Sequence, residues 1–296
     1  MRVLILGAAG MLGHKLWQTL RGRFDTWATL RSPLRSYPQY ELFDSQRTVD
    51  GVDAREFSSV QRAVETARPA VVINCIGIIK QLPEAQDPIL SLTVNSQFPH
   101  RLQQLCRQTD ARLLHFSTDC VFSGRKGNYT EDDVSDAEDL YGRTKFLGEL
   151  DSPGSLTLRT SMIGRELRTR SGLVEWLLHN RRGKIRGFTR AIFSGLTTLA
   201  LARIVADVIE RHPQLSGLYN LSSDPISKHD LLLLLREAYG LQVEIEPSPE
   251  PASDRSLNSR RFREATGFVP QPWLQMVAEM AHEPSPYESW RSIPAC

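Results

Sequence analysis

Tyr141 and Lys145, in the run Tyr141-Gly142-Arg143-Thr144-Lys145, are four residues apart. On a helix that spacing puts both side chains on one face. An ammonium beside a phenol favours the phenolate and lowers the phenol pKa from its reference of about 10. Tyr141 would then give or take a proton close to neutral pH. The spacing alone also arises by chance. It gains weight from Ser117-Thr118-Asp119-Cys120 upstream, at the end of an apolar run. There Thr118 can bind a reacting carbonyl oxygen beside Tyr141. The competing reading is a surface tyrosine and a turn-forming Ser-Thr-Asp.

A second constellation binds rather than reacts. Gly7-Ala8-Ala9-Gly10-Met11-Leu12-Gly13 follows the apolar run Val3–Leu6 and opens the helical pattern Met11–Leu20. Glycines permit a tight turn and let a pyrophosphate approach the backbone, and the helix start offers free N–H groups and a positive dipole end. Gly7, Ala9, Gly10, Met11, Leu12 and Gly13 are therefore the candidate dinucleotide-binding residues. An NAD-type site places an acid at the end of the second strand to hold the ribose hydroxyls. Leu30-Arg31 stands there instead, with Arg35 nearby. A guanidinium suits a 2′-phosphate, so NADP(H) is the favoured cofactor and NAD(H) the alternative. An ordinary surface arginine is the plainer account of Arg31.

These residues need a scaffold. Strand patterns at Val3–Leu6, Thr26–Leu30, Ala70–Cys75, Arg112–Ser117 and Leu156–Thr160 alternate with helical patterns at Met11–Leu20, Val60–Thr66, Leu90–Gln108 and Tyr141–Leu150. That alternation implies parallel βαβ units covered on both faces. Beyond them, 183–198 mixes β and turn character, Leu199–Glu210 and His229–Ala238 read as helices, Leu218–Leu221 as a last strand, and Pro247–Ser253 as a loop. The expected fold is α/β: a Rossmann-type doubly wound parallel sheet with a smaller C-terminal α+β domain. The first would take residues 1–160 and about 195–224, the second about 161–194 and 225–296. Ligands would bind at the carboxyl ends of the strands.

Composition excludes several classes. Of 296 residues, 41% are hydrophobic and 24% charged, as in ordinary globular proteins. The formal charge of +2, from 36 basic and 34 acidic residues, favours neither nucleic acid nor an anionic membrane. The basic cluster Arg181, Arg182, Lys184 and Arg186 reads as a solvated surface, with substrate phosphates as the alternative. No stretch reaches the roughly 20 apolar residues that span a bilayer, and the short N-terminal apolar run is not expected to act as a signal sequence. Cys75, Cys106, Cys120 and Cys296 show no metal-like spacing. A reduced, cytoplasmic protein is expected.

Taken together, Phe116–Gly124 (FSTDCVFSG), Asn128–Asp132 (NYTED) and Leu140–Gly148 (LYGRTKFLG) resemble dTDP-4-dehydrorhamnose reductase and its relatives, extended short-chain dehydrogenases/reductases. The resemblance continues through Arg159-Thr160-Ser161, Gly217–Ser223 and Asp254–Asn258, so it covers nearly the whole chain, more loosely in the second half. The GxxGxxG spacing also resembles that branch. It implies reduction of a 4-keto sugar carried on a nucleoside diphosphate. Hydride would pass from the nicotinamide, Tyr141 would donate the proton, Thr118 would orient the carbonyl, and Lys145 would tune Tyr141 and hold the nicotinamide ribose. It places Cys75, Ile76 and Gly77 along the cofactor, Asp53 and Ala54 at the adenine, and Asn95 behind the site as a support. Asp119, Cys120, Met162 and Arg255 would face substrate, Arg255 at the diphosphate. For Asp53 and Arg255, plain exposed residues are the competing accounts.

The departures are specific. Cys120 stands where the rhamnose-forming reductases usually carry tyrosine, and Met162 where they carry tryptophan, both facing the sugar. Lys15 replaces an acidic residue that helps bind Mg²⁺ at a dimer contact in some members, so no metal and no dimer of that kind are expected. Oligomeric state is otherwise open, a homodimer included. Cys120 also stands two residues after Thr118, as a cysteine follows the catalytic serine in GDP-fucose synthase. An epimerase-reductase is therefore the alternative, although Leu173 occupies the place of that enzyme's partner histidine, and a packing role explains Cys120 more simply. Sugar dehydratases carry glutamate at this position, for which cysteine is no simple substitute. A non-catalytic NADP-binding regulatory subunit is the alternative of another class, as in the β-subunit of methionine adenosyltransferase. His115, Trp176, Trp273 and Trp290 read as packing residues.

Overall fold

The computed structural model describes residues 1–37 and 42–292, so Cys296 lies outside the described residues. Its strands are β1 (Arg2–Leu6), β2 (Asp25–Thr29), β3 (Thr48–Val49), β4 (Val71–Asn74), β5 (Arg112–Ser117), β6 (Ser155–Arg159), β7 (Met162–Ile163), β8 (Lys184–Phe188), β9 (Ala191–Phe193), β10 (Leu196–Thr197), β11 (Gly217–Asn220), β12 (Ile226–Ser227), β13 (Glu244–Ser248) and β14 (Ser253–Asp254). The helices are α1 (Met11–Leu20), α2 (Phe57–Ala67), α3 (Pro88–Ser91), α4 (Phe98–Gln108), α5 (Leu140–Leu147), α6 (Leu173–His179), α7 (Thr198–Arg211), α8 (Lys228–Ala238), α9 (Arg260–Thr266), α10 (Trp273–Ala281) and α11 (Tyr287–Ser292).

The central sheet runs β3-β2-β1-β4-β5-β6-β11 with every pair parallel. It is a Rossmann-type sheet with helices on both faces, which is why its middle strands are apolar without alternation. Ile5, Ile73, Leu114 and Leu158 cluster with Leu16 and Trp17 of α1 and Leu201 and Val205 of α7. On the other face Leu4, Leu6, Val72 and Leu113 cluster with Val60 and Val64 of α2 and Phe98 and Leu102 of α4. Strand order reverses between β1 and β4, which opens a crevice at their carboxyl ends. The loops after these two strands touch there: a Cβ on Gly7 would lie 3.0 Å from Ile76 Cγ1 and 3.3 Å from the Cys75 backbone.

The remaining strands form small sheets: β12-β9-β14, the parallel pair β8 and β13, and the parallel pair β7 and β10. The chain then returns across the Rossmann unit. Tyr287 reaches His14 and Glu283 reaches Lys15, both on α1. Among the described residues no helix is long and apolar enough to cross a membrane.

Three elements differ from the sequence expectation. The helix expected over Leu90–Gln108 is α3, a π-helical turn at Leu92–Gln97, and α4. Helix α5 stops at Leu147 rather than Leu150, and its C-cap Gly148 lies so close to the π turn that a Cβ would be 1.9 Å from Asn95 O. The loop expected over Pro247–Ser253 begins later. Pro247 and Ser248 complete β13, whose pairing with β8 alone leaves it an edge strand, where proline is tolerated. Trp176, expected to pack, is 39% exposed.

Candidate active site

The glycine loop makes a tight turn between β1 and α1. Gly7 has φ +78°, a backbone state that costs glycine little, and Gly10 N donates to Gly7 O at 3.0 Å to close the turn. Gly13 lies so close to the strand end that a Cβ would sit 2.2 Å from Gly7 O. Helix α1 starts at Met11, so the first-turn amides of Met11, Leu12 and Gly13 lie outside its own hydrogen-bond ladder. Among the described residues a cavity of about 380 Å³ is lined by Ala9, Gly10, Met11, Arg31, Ser32, Tyr37 and the segment 166–169. Donors of this kind fit a dinucleotide diphosphate.

Arg31 projects from the end of β2 with its side chain 73% exposed, its Nε 3.5 Å from Asp53 Oδ2. Asp53 itself is engaged by Arg55, whose Nε lies 3.0 Å from both carboxylate oxygens, and that contact holds its carboxyl below the usual range. Ala54 beside it is buried.

The reactive groups meet at the carboxyl end of β5. Thr118 directly follows the strand, is 6% exposed and caps a short 3₁₀ turn by accepting from Cys120 N at 3.1 Å. Its own proton goes to Asp119 Oδ1 at 3.1 Å. Helix α5 is started by Asp139, whose carboxylate accepts from Gly142 N at 2.8 Å, and this sets Tyr141 in the first turn. Thr118 lies close enough to the Tyr141 hydroxyl to favour its ionised form, against the larger effect of burial. Lys145, one turn on, is buried and donates from Nζ to Phe116 O at 2.7 Å.

The π turn supports this helix from behind. Asn95 accepts from Ile78 N at 2.9 Å and donates to Ile78 O at 3.1 Å and Thr144 Oγ1 at 3.4 Å. It thereby ties the loop after β4, which contains Cys75, Ile76 and Gly77, to α5. Such single π turns recur at functional sites.

The electrostatics overturn one expectation. The Tyr141 phenol is not lowered but pushed above its ordinary value, first by loss of solvent and then by the Cys120 thiol. The Lys145 ammonium is occupied by a backbone carbonyl, and burial lowers its own pKa to about 8. Burial and the Asp119 carboxylate push the Cys120 thiol up to about 12, and burial raises Asp119.

The other predicted substrate-side residues are more spread. Arg255 donates from Nε to Phe122 O at 2.8 Å, near the Thr118–Cys120 turn. Met162 is half-buried in β7, paired with Leu196 of β10. A cavity of about 630 Å³, lined by Gly124, Arg125, Glu138, Thr189, Arg190 and Asp254, lies beside Arg255. No group of three or more His, Cys, Asp or Glu side chains that could hold a metal occurs among the described residues. Lys15 is buried, bonded to Gln18 Oε1 at 2.6 Å and paired with Glu283.

Sequence reasoning missed several polar supports. His14 donates from Nδ1 to Gly10 O at 2.8 Å and its Nε2 accepts from the Tyr287 hydroxyl at 2.7 Å, so the C-terminal arm braces the glycine loop. Glu149 accepts from Ser117 Oγ at 2.6 Å and pairs with buried Arg159 at 2.7 Å, next to the Thr118 turn. Asn74 accepts from Ile76 N at 3.0 Å, which orients its amide to donate to His115 Nδ1 at 3.1 Å. No local spacing signals these pairs; only the polar character of Asn74 and His115 within apolar strands hints at them.

A family model described as the RmlD substrate binding domain matches residues 1–285. The chain is 35% identical to a dTDP-4-dehydrorhamnose reductase of Streptomyces griseus over 149 residues, covering 50% of this chain and 43% of the relative. The chain thus aligns with less than half the length of that relative. It is 27% identical to the spore coat polysaccharide biosynthesis protein SpsK of Bacillus subtilis, over 96% of this chain and 98% of the relative. Among solved structures, the dTDP-4-dehydrorhamnose reductase of Bacillus anthracis in complex with NADP superposes with a TM-score of 0.77 at 22% identity, covering 96% of this chain and 99% of that one. That last likeness is one of fold.

Proposed function

This chain belongs to the RmlD substrate binding domain family, and we propose that it is an NAD(P)H-dependent reductase of a nucleoside-diphosphate-linked 4-keto-6-deoxy sugar. The observation that carries this reading is the meeting of Thr118, Tyr141 and Lys145 at the end of β5, in the sheet whose β1 and β4 loops form the anion cradle. Gly7, Ala9, Gly10, Met11, Leu12 and Gly13 would hold the dinucleotide diphosphate, Cys75, Ile76 and Gly77 would line its path, and Asp53 and Ala54 would border the adenine. Arg31 in place of an acid favours NADP(H), with NAD(H) usable. When bound, the nicotinamide supplies the hydride that reaches the keto carbon.

The chain's own part is the proton. A phenol with a raised pKa stays protonated, the form a proton donor needs, and Tyr141 gives that proton to the carbonyl oxygen as the C–O bond becomes single. Thr118 must turn its hydroxyl from Asp119 to the same oxygen. Lys145, charged below about pH 8, holds the nicotinamide ribose and balances the phenolate left behind. Asp119, Cys120, Met162 and Arg255 border the sugar, and the cavity flanked by Arg125 and Arg190 accepts the nucleotide. In this reading residues 1–160 and about 195–224 bind cofactor, 161–194 and 225–296 bind substrate, and a cytoplasmic setting supplies the cofactor.

The test is oxidation of NADPH and NADH with a panel of nucleotide-linked 4-keto-6-deoxy sugars. Consumption with at least one sugar is expected. Tyr141→Phe should cost roughly 10²–10⁴-fold in turnover while cofactor still binds. Near-wild-type turnover in Tyr141→Phe would overturn the proton assignment. Tight cofactor binding with no sugar-dependent oxidation would point to a regulatory subunit.

A further inference from the structure

The cavity at the glycine loop has a wall from a distant part of the chain. Segment 166–169 lines it opposite Ala9, Gly10 and Met11, and Arg168 stands on that wall with its guanidinium 5.2 Å from the centre of the Tyr37 ring. Arg31 lies on the same rim. The arch that presents Arg168 is firmly held. Leu167 is 2% exposed within the core, and Glu166 accepts from Ser171 N at 2.9 Å and Gly172 N at 3.1 Å. Arg165 just before it pairs with buried Glu175 at 2.8 Å.

The acids nearby are engaged. The Glu166 carboxylate faces those two amides, and Asp53 is held by Arg55. Two exposed guanidiniums thus line one rim, Arg168 over an aromatic ring and Arg31 only loosely paired with Asp53 at 3.5 Å.

We propose that Arg168 and Arg31 together grip the 2′-phosphate of NADP(H), so that the 166–169 arch, and not only the end of β2, sets the preference over NAD(H). The inference rests on the cofactor reading above. Arginine suits this role because its planar fork binds a phosphate through two parallel N–H bonds.

Equilibrium binding of NADPH, NADH, 2′,5′-ADP and 5′-ADP to the wild type, Arg168→Ala, Arg31→Ala and Arg170→Ala tests it. Arg170 is an exposed neighbour and serves as the control. Arg168→Ala should weaken NADPH and 2′,5′-ADP roughly tenfold and leave NADH and 5′-ADP within about twofold, as for loss of a charge-assisted contact. Arg31→Ala should do the same, and Arg170→Ala should change neither pair. Equal losses on both pairs in Arg168→Ala, no loss, or a comparable loss in Arg170→Ala would overturn the inference alone. A wild type that binds none of the four would overturn the cofactor reading and this inference with it.

Discussion

Lys145 carries a charge into the interior, and its titration is readable. Burial sets its pKa at about 8 in the fold against 10.5 in the unfolded chain. Between those values the unfolded chain holds a proton that the folded one has lost, so this group makes stability rise with pH across that window. Below about pH 8 both states are charged and the full burial cost remains. Lys145→Met should therefore gain on the wild type at neutral pH and lose that advantage as pH rises towards 10.5, read by denaturant unfolding at several pH values. A pH-independent difference would mean that Lys145 is not buried as a cation. Cys120 makes the opposite case. A thiol pushed up to about 12 is a poor proton carrier, so Cys120→Ala should keep turnover within about tenfold, well short of the loss expected on removing a general acid or base. Product formed in deuterated water should then carry no deuterium at the carbon beside the former keto group; deuterium there, lost in Cys120→Ala, would restore the epimerase alternative. Tyr141 and Lys145 could be paired in the sequence by their four-residue spacing, and Thr118 was singled out by its place at the end of an apolar strand run. The sign of the Tyr141 shift was not legible there, because desolvation depends on everything packed around the hydroxyl.

Helix α5 is placed by contacts that only glycine allows. A Cβ on Gly142 would lie 2.2 Å from Cys120 O and 2.7 Å from Ala137 Cβ, both on segments that frame the site. Cys120 belongs to the turn that Thr118 caps, so a shift at this contact moves Tyr141 against Thr118. Gly142→Ala should cost about 1–3 kcal/mol in stability, the usual range for overpacking, and should lower kcat more than it weakens cofactor binding. Unfolding curves paired with kinetics decide this; an unchanged kcat would mean the helix shifts without consequence. The sequence indicated this helix and the sheet strands well, since parallel strands buried on both faces leave uninterrupted apolar runs such as Val71–Ile73. It concealed the π turn at Leu92–Gln97, because one extra residue in a turn leaves the apolar pattern nearly unchanged, and the cause, Asn95 bonding across to Ile78 and Thr144, is tertiary.

Across the whole molecule, the C-terminal arm locks against α1 of the Rossmann unit, beside the glycine loop. Lys15 of α1 is 3% exposed in its side chain and Glu283 11%, and burial lowers the Lys15 pKa while Glu283 raises it. The charge is tolerated because Gln18, Glu283 and the Tyr287 ring surround it. The same arm delivers the Tyr287 hydroxyl to His14, which holds Gly10 of the glycine loop. The sequence marked Lys15 only as a departure from an acidic position. Its partner lies 268 residues away, beyond the reach of any periodicity. Removing one member of a buried pair leaves the other charge uncompensated, whereas an apolar pair of similar volume escapes both desolvation costs. Glu283→Gln should thus destabilise the protein by about 3–5 kcal/mol and weaken dinucleotide binding through the His14 brace. Lys15→Met combined with Glu283→Met should recover most of that loss, since the double change leaves no buried charge to solvate. Denaturant unfolding of both variants separates the outcomes: if the double variant is no more stable than Glu283→Gln, the arm is held by its packing and hydroxyl contacts, and the ion pair adds nothing to the lock.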